Sequence, residues 1–118
     1  MQKESKQLQI IIRALEDIQA KDIITINVAA QTAVADYMII CSGRASRHVR
    51  AIAEHLIPIV KSQGISVLHT SGVNTGEWAL VDLGDYIIHI MLPECREFYN
   101  LEELWKSGDA QIDEAVNQ

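Results

Sequence analysis

Residues 76–105 read GEWALVDLGDYIIHIMLPECREFYNLEELW. This stretch gives the clearest indication of the fold. Apolar residues recur on both sides of Gly84, whose tolerance of a positive φ suits a tight turn, so the stretch predicts a β-hairpin. Pro93 then opens a short helical region, since proline is well placed in the first turn of a helix. The predicted elements are strands at residues 78–83 and 86–92 and helical segments at residues 94–99 and 101–105.

The rest of the chain predicts helices and further strands around this hairpin. Ser42 or Ser46 is expected to cap the central helix and Gly64 to close it, and Pro58 inside it predicts a kink or an early stop. The predicted elements are helices at residues 4–20 and 49–60, strands at residues 23–28, 37–41 and 65–68, and a polar loop at residues 69–76. This order, α-β-β-α-β-β-β-α, predicts an α/β (α+β) fold with a mixed five-stranded sheet and flanking helices.

Alternation along the hairpin predicts two unlike faces. Trp78, His89 and Met91 share one face, whereas Ile88 and Ile90 lie on the other and belong to the core. Two long helices can cover only one face of the sheet, so the Trp78 face is expected to stay open. The hairpin and the helical segments after it hold both tryptophans and two of the three tyrosines. These aromatic residues predict either a docking surface or the core of a small domain.

Composition predicts one domain over residues 1–106, followed by a tail at residues 107–118 that is expected to fray. Sixteen acidic against ten basic residues give a net charge of −6. This charge disfavours direct or sequence-specific nucleic-acid binding and favours a basic protein partner. The charged N-terminal stretch and the lack of a long apolar run predict a soluble, cytoplasmic protein with no membrane contact.

No residue pattern indicates catalysis, a metal or a cofactor. The turn at residues 42–46 could hold an anion in a nucleotidyltransferase, but the strand expected at residues 65–68 has no acidic pair to hold a metal. Asp82 and Asp85 are typical of a solvated turn pair, and His89 has no second ligand at a suitable spacing. Cys41 and Cys95 have no metal-binding or redox spacing, which indicates reduced structural thiols.

Three segments of the chain together resemble the ribosomal silencing factor family, also called RsfS or Iojap-like. They are ADYMIICSG at residues 35–43, followed by the helix that contains Arg47, His48 and Val49, then GEWALVDLGDYIIHI at residues 76–90 and PECREFYNLEELW at residues 93–105. The resemblance implies a translation repressor that is not an enzyme, with a nucleotidyltransferase-like fold without the catalytic acids. It implies binding to the fourteenth protein of the large ribosomal subunit, which blocks joining of the small subunit and damps translation in nutrient limitation or stationary phase.

The hairpin face and the resemblance together predict two sets of site residues. The partner-binding residues are Trp78, His89, Met91, Arg96, Tyr99, Leu101 and Glu102. The motif residues expected to serve the fold or binding are Asp36, Tyr37, Ser42, Gly43, Glu77, Asp82, Asp85, Leu104 and Trp105. Ser71 stands where the family often has Glu, so a role for that carboxylate does not carry over. A homodimer, a nucleotide-handling enzyme and an α/β adaptor with another partner stay open as alternatives.

Overall fold

The computed structural model describes residues 2–106, and for residues 2–5, 102 and 106 it describes the backbone alone. Within this range the helices are α1 (Gln2–Asp17), α2 (Ser46–Ser62), α3 (Pro93–Tyr99) and α4 (Leu101–Lys106). The strands are β1 (Lys21–Asn27), β2 (Tyr37–Ser42), β3 (His69–Ser71), β4 (Trp78–Asp82) and β5 (Tyr86–Met91). None of these helices is long and apolar enough to span a bilayer. The tail at residues 107–118, expected to fray, lies outside the described residues.

The five strands form one mixed sheet in the order β1-β2-β5-β4-β3. β2 and β5 run parallel at its centre, and every other neighbouring pair is antiparallel. Both central strands are buried along almost their whole length, as expected of strands covered on both faces. The predicted α/β fold with a mixed five-stranded sheet is therefore confirmed.

The hairpin of β4 and β5 has the two faces that its alternation predicts. Trp78 pairs with Met91 on one face, and Ala79 pairs with Ile90 on the other. Ile90 is fully buried in the main hydrophobic core, together with Leu56 of α2. This core lies between the sheet and the helices α1 and α2, so the predicted core face is confirmed.

The opposite face of the sheet is covered, so the prediction that it stays open is wrong. Leu101 and Trp105 of α4 pack against Ile26, Met38 and Met91 in a second hydrophobic cluster. α3 has seven residues and α4 has six, and helices this short are marginal in water by themselves. Their stability therefore depends on burial against the sheet, which the helical pattern alone does not reveal.

The third strand lies later in the chain than predicted. Residues 65–68 are not a strand; β3 begins at His69. Ile65 belongs to the cap that follows the last residue of α2. Its N–H donates to the Val60 carbonyl at 2.9 Å, and the preceding Gly64 has a φ of 81°. The side chain of Ile65 is buried in the main core. Ile65 thus owes its apolar character to packing after a helix, and the edge strand consists of three exposed residues.

The central helix begins differently from the prediction but closes as expected. Its N-cap is Ala45, without a side-chain cap, so the prediction of a serine cap is wrong. Ser42 belongs to β2, and Ser46 is the first residue of α2. The helix continues past Pro58 to Ser62, so an early stop does not occur.

We predict that Gly76→Ala destabilises the protein more than Gly64→Ala. Both glycines have a positive φ, 73° at Gly76 and 81° at Gly64, and alanine in that conformation costs about 1 to 2 kcal/mol. A Cβ at Gly76 would also run into the backbone carbonyl of Ser46, whereas no atom lies within 4 Å at Gly64. We expect G76A to lose a further ~1 to 3 kcal/mol from this overpacking. Urea denaturation followed by circular dichroism measures both values, and equal losses would contradict the close packing of this loop on α2.

Candidate partner-binding site

Trp78 and His89 form a hydrogen-bonded pair on the face covered by α3 and α4. Trp78 begins β4, and His89 lies on the adjacent strand β5. The indole Nε1–H of Trp78 donates to Nδ1 of His89 at 2.9 Å, with the ring centroids 5.8 Å apart. An indole nitrogen can only donate. Nδ1 therefore carries no proton in this geometry, and the neutral His89 ring has its proton on Nε2.

His89 is held neutral by its surroundings. Burial lowers its pKa from 6.5 to about 4, because the charged form of a buried imidazole loses its hydration. Protonation at Nδ1 would also remove the acceptor that Trp78 uses. His89 therefore positions the indole ring of Trp78 from inside the protein.

Three aromatic side chains form a continuous group at the edge of this face. The ring of Trp78 packs against Tyr99 of α3 at 4.7 Å between centroids, and Tyr99 meets Phe98 edge to face at 5.0 Å. Trp78 is half-buried, whereas Tyr99 is 48% and Phe98 79% exposed. We call these three residues the aromatic patch. Adjacent exposed aromatic side chains on an otherwise well-packed domain indicate an interaction site.

Arg96 fixes the helix that presents the aromatic patch. Its guanidinium is buried and donates from Nη1 to Oγ of Ser42 at 2.9 Å, which ties α3 to the end of β2. Asn100 ends α3 in a left-handed conformation, with its N–H bonded to the Arg96 carbonyl at 2.8 Å. A hydrogen bond from a charged donor contributes about 1.5 to 3 kcal/mol. Arg96 and Ser42 thus hold Tyr99 at its place beside Trp78.

Three exposed acidic side chains lie near the aromatic patch in the sequence. Glu94 and Glu97 are exposed on α3, and Glu77 is exposed immediately before Trp78. Burial raises the pKa of the Cys95 thiol, and Glu77 and Glu94 raise it further, so both carboxylates lie near that thiol. An aromatic patch with acidic residues nearby suits a partner rich in Lys and Arg.

The predicted partner-binding residues divide into exposed and buried groups. Trp78 and Tyr99 belong to the aromatic patch, and their contact with a partner stays a prediction. The side chain of Glu102 lies outside the described residues. The buried members are His89, Met91, Arg96 and Leu101. These four side chains are not accessible to a partner, because α3 and α4 cover the face that was expected to be open. They lie in the interior behind the aromatic patch.

Most motif residues make contacts within the fold. Tyr37 stacks on Tyr86 with centroids 5.6 Å apart. The N–H groups of Asp36 and Tyr37 both donate to the Asp85 carbonyl, and the Asp82 carboxylate accepts a bond from the turn that follows it. The remaining motif residues at contacts between elements are Ser42, Gly43, Leu104 and Trp105. These residues therefore stabilise the fold of the domain.

Phe98 is the functional candidate that sequence reasoning missed. It is the only phenylalanine in the chain and the most exposed large apolar side chain among the described residues. The available signal was its position next to Tyr99 in a short helix. Side chains two residues apart along a helix point in roughly opposite directions, so a helix that buries Arg96 turns Phe98 toward solvent.

The described residues offer little for metal or thiol chemistry. In residues 2–106, excluding side chains that are not described, no group of three or more His, Cys, Asp or Glu is placed to hold a metal ion. Burial raises the pKa of Cys41 to about 12, although nearby Arg96 opposes the shift. A thiol in that state is a poor nucleophile at neutral pH.

The fold is that of an α/β protein with a mixed five-stranded sheet and an exposed aromatic patch, and comparisons with known proteins give its family. The family described as "Ribosomal silencing factor during starvation" matches residues 1–118. The chain is 43% identical to the ribosomal silencing factor RsfS of Zymomonas mobilis, over 94% of this chain and 83% of the relative. It therefore belongs to the ribosomal silencing factor family, whose members are ribosome-associated regulators of translation.

Two further comparisons agree with that assignment. A crystal structure of a protein from Chromobacterium violaceum superposes with a TM-score of 0.84 at 37% identity, covering 86% of this chain and 85% of the other. A mouse protein named "Mitochondrial assembly of ribosomal large subunit protein 1" is 34% identical over 89% of this chain and 48% of its own length. The predicted resemblance is thus confirmed at the level of the family.

We predict a pH dependence of stability that comes from His89. Its folded pKa of about 4 lies below its ordinary value of 6.5, so between these pH values the unfolded chain binds the proton and the folded protein does not. The contribution of His89 is therefore complete above about pH 6.5 and is lost as the pH falls toward 4. Between pH 7 and pH 5 this loss is about 2 kcal/mol.

Urea denaturation of the wild type and of His89→Gln at both pH values measures this contribution. The difference between the two proteins should be larger at pH 7 than at pH 5, because the variant has no imidazole to titrate. A difference that does not change with pH would show that His89 is not held neutral by the fold.

Proposed function

We propose that this protein binds the large ribosomal subunit through its fourteenth ribosomal protein and blocks joining of the small subunit by occupying the contact surface. Translation is thereby damped in nutrient limitation or stationary phase. The protein acts by binding in the cytoplasm and catalyses no reaction. The observation that carries this proposal is the exposed pair of Phe98 and Tyr99 beside Trp78, in a member of the ribosomal silencing factor family.

The chemistry of the aromatic patch supports a ribosomal protein as the partner. Aromatic side chains bury a large area with few rotatable bonds, and they are the commonest anchors of protein interfaces. Glu77, Glu94 and Glu97 add negative charge around the patch, and ribosomal proteins are generally basic. Complementary charge speeds encounter and rejects acidic partners. The printed name of the mouse relative, which refers to the large subunit, supports the choice of subunit.

The rigidity of the patch supports a blocking mechanism. Trp78 is fixed by its hydrogen bond to His89, and α3 is fixed by Arg96. A preorganised patch binds without the entropic cost of ordering its side chains. A domain of 118 residues held on the subunit interface excludes the small subunit by its volume. No conformational change or bound nucleotide is required.

The alternative of a nucleotide-handling enzyme has less support. Oγ of Ser42, in the turn where a nucleotide would bind, accepts a hydrogen bond from buried Arg96. The adjacent cleft of about 530 Å³ includes Asp22, Glu94, Glu97 and Arg96 in its lining. The carboxylates outnumber the one guanidinium, so the cleft disfavours phosphate groups. Turnover of labelled nucleotides with Mg²⁺ or Mn²⁺ that disappears in an Asp22→Asn variant would favour the enzyme.

We predict that Phe98→Ala and Tyr99→Ala each weaken binding to large subunits by ~2 kcal/mol or more, about thirtyfold, as the loss of an aromatic anchor does. Both side chains are exposed, so folding should be preserved. Affinity is measured by co-sedimentation with purified large subunits, and stability by thermal denaturation. Trp78→Ala is a less direct test, because it also removes the hydrogen-bond partner of His89.

Val34→Ala and Leu68→Ala are matched controls. Val34 is 71% and Leu68 65% exposed, and both lie at the opposite end of the sheet, beside the start of β2 and the turn before β5. They should bind like the wild type. The proposal fails if the controls weaken binding as much as F98A and Y99A, or if F98A and Y99A bind normally. Sedimentation of the free protein tests whether a second copy occupies the patch as a homodimer.

A further inference from the structure

One part of this acidic chain carries a net positive charge, because it is poor in acidic residues. Residues 37–76 contain four of the ten Lys and Arg residues but only one of the sixteen Asp and Glu residues, Glu54. Three of these cations, Arg44, Arg47 and Arg50, lie within seven positions, and all three are exposed. We call them the arginine patch. The function argued above makes no use of them.

The arginine patch lies at the same end of the sheet as the aromatic patch. α2 begins where β2 ends, and there the N–H of Gly43 donates to the Met91 carbonyl of β5 at 3.1 Å. The loop before β4 packs on the first turn of α2, with Gly76 against the Ser46 carbonyl. Trp78 follows two residues later. The two patches thus lie at the same end of the domain, on opposite faces of the sheet, and the segment Gly76-Glu77 connects them.

The charges of the arginine patch are not neutralised within the described part of the chain. Arg44 donates to the side-chain oxygen of Gln19 and Arg50 to the carbonyl of Asn74, both at 3.4 Å. Those partners are neutral. Among the side chains that the structure describes, the only acid–base contact within 4 Å is between His55 and Asp17. Arg44 and Arg50 are therefore not paired with a carboxylate, and all three arginines are exposed around the start of α2.

We propose that the arginine patch binds phosphate groups of ribosomal RNA on the large subunit, without reading base sequence, while the aromatic patch holds the ribosomal protein. This inference rests on the proposed function. Guanidinium groups match phosphate oxygens in a two-pronged geometry. Salt screens charges beyond about 8 Å at physiological ionic strength, so the net charge of −6 does not cancel a local cationic cluster.

The two contacts are expected to act in order. An acidic protein has little affinity for free RNA. Docking of the aromatic patch raises the effective concentration of phosphate at the arginine patch, so a weak second contact then adds to the affinity. An acidic surface of a ribosomal protein is the other surface that could meet these arginines. The experiment separates the two.

The test compares the double variant R47Q/R50Q with R13Q/K61Q, which removes two exposed positive charges elsewhere. Affinity for purified large subunits is measured at several salt concentrations. R47Q/R50Q should lower the slope of log K against log salt by about two, close to one for each lost phosphate contact. Between about 50 and about 200 mM salt, wild-type binding should weaken about tenfold more than binding of this variant. R13Q/K61Q should behave like the wild type.

Binding to the isolated fourteenth ribosomal protein completes the test. R47Q/R50Q should bind it as tightly as the wild type, whereas Y99A should bind it poorly. If R47Q/R50Q loses as much affinity for the isolated ribosomal protein as for the large subunit, the arginines contact a protein surface and the proposed RNA contact is overturned. An unchanged salt slope on subunits would also overturn it and leave the proposed function intact. A wild type that does not bind subunits at all would overturn both.

Discussion

The second face of the sheet is apolar and must be shielded from water. This requirement determines where α3 and α4 lie. Ile26, Met38 and Met91 line this face, and α1 and α2 lie on the other side. Each large apolar side chain removed from water contributes about 1.5 to 3 kcal/mol. Leu101 and Trp105 cover the face, and their burial stabilises two helices that would not form alone. The position of α3, and therefore of Tyr99, follows from this packing.

Covering the face with short helices also buries polar groups, and those described above have partners. His89 accepts a bond from Trp78, and Arg96 donates to Ser42. A buried polar group without a partner costs about 1 to 3 kcal/mol, and a buried charge costs more. The Arg96–Ser42 hydrogen bond therefore stabilises α3 in this position. The same packing leaves Phe98 in solvent next to Tyr99, which packs against Trp78.

Local patterns explain what the sequence could predict. The hairpin faces follow from alternation, and the long helices follow from their apolar spacing. β3 could not be found this way, because its three residues are polar and exposed and pair only at the edge of the sheet. The cover over the second face depends on contacts such as that between Arg96 and Ser42, 54 residues apart. His89 and Met91 were therefore correctly placed on the same face as Trp78, but the covering of that face could not be foreseen.

An assay of subunit joining tests directly whether the bound protein blocks the small subunit. Separated small and large subunits are mixed with increasing amounts of the protein, and joining is followed in sucrose gradients. We expect joining to stop when about one protein is bound per large subunit, and the protein to sediment with the large subunit alone. Normal joining while the protein stays bound to the large subunit, or binding to the small subunit instead, would contradict it.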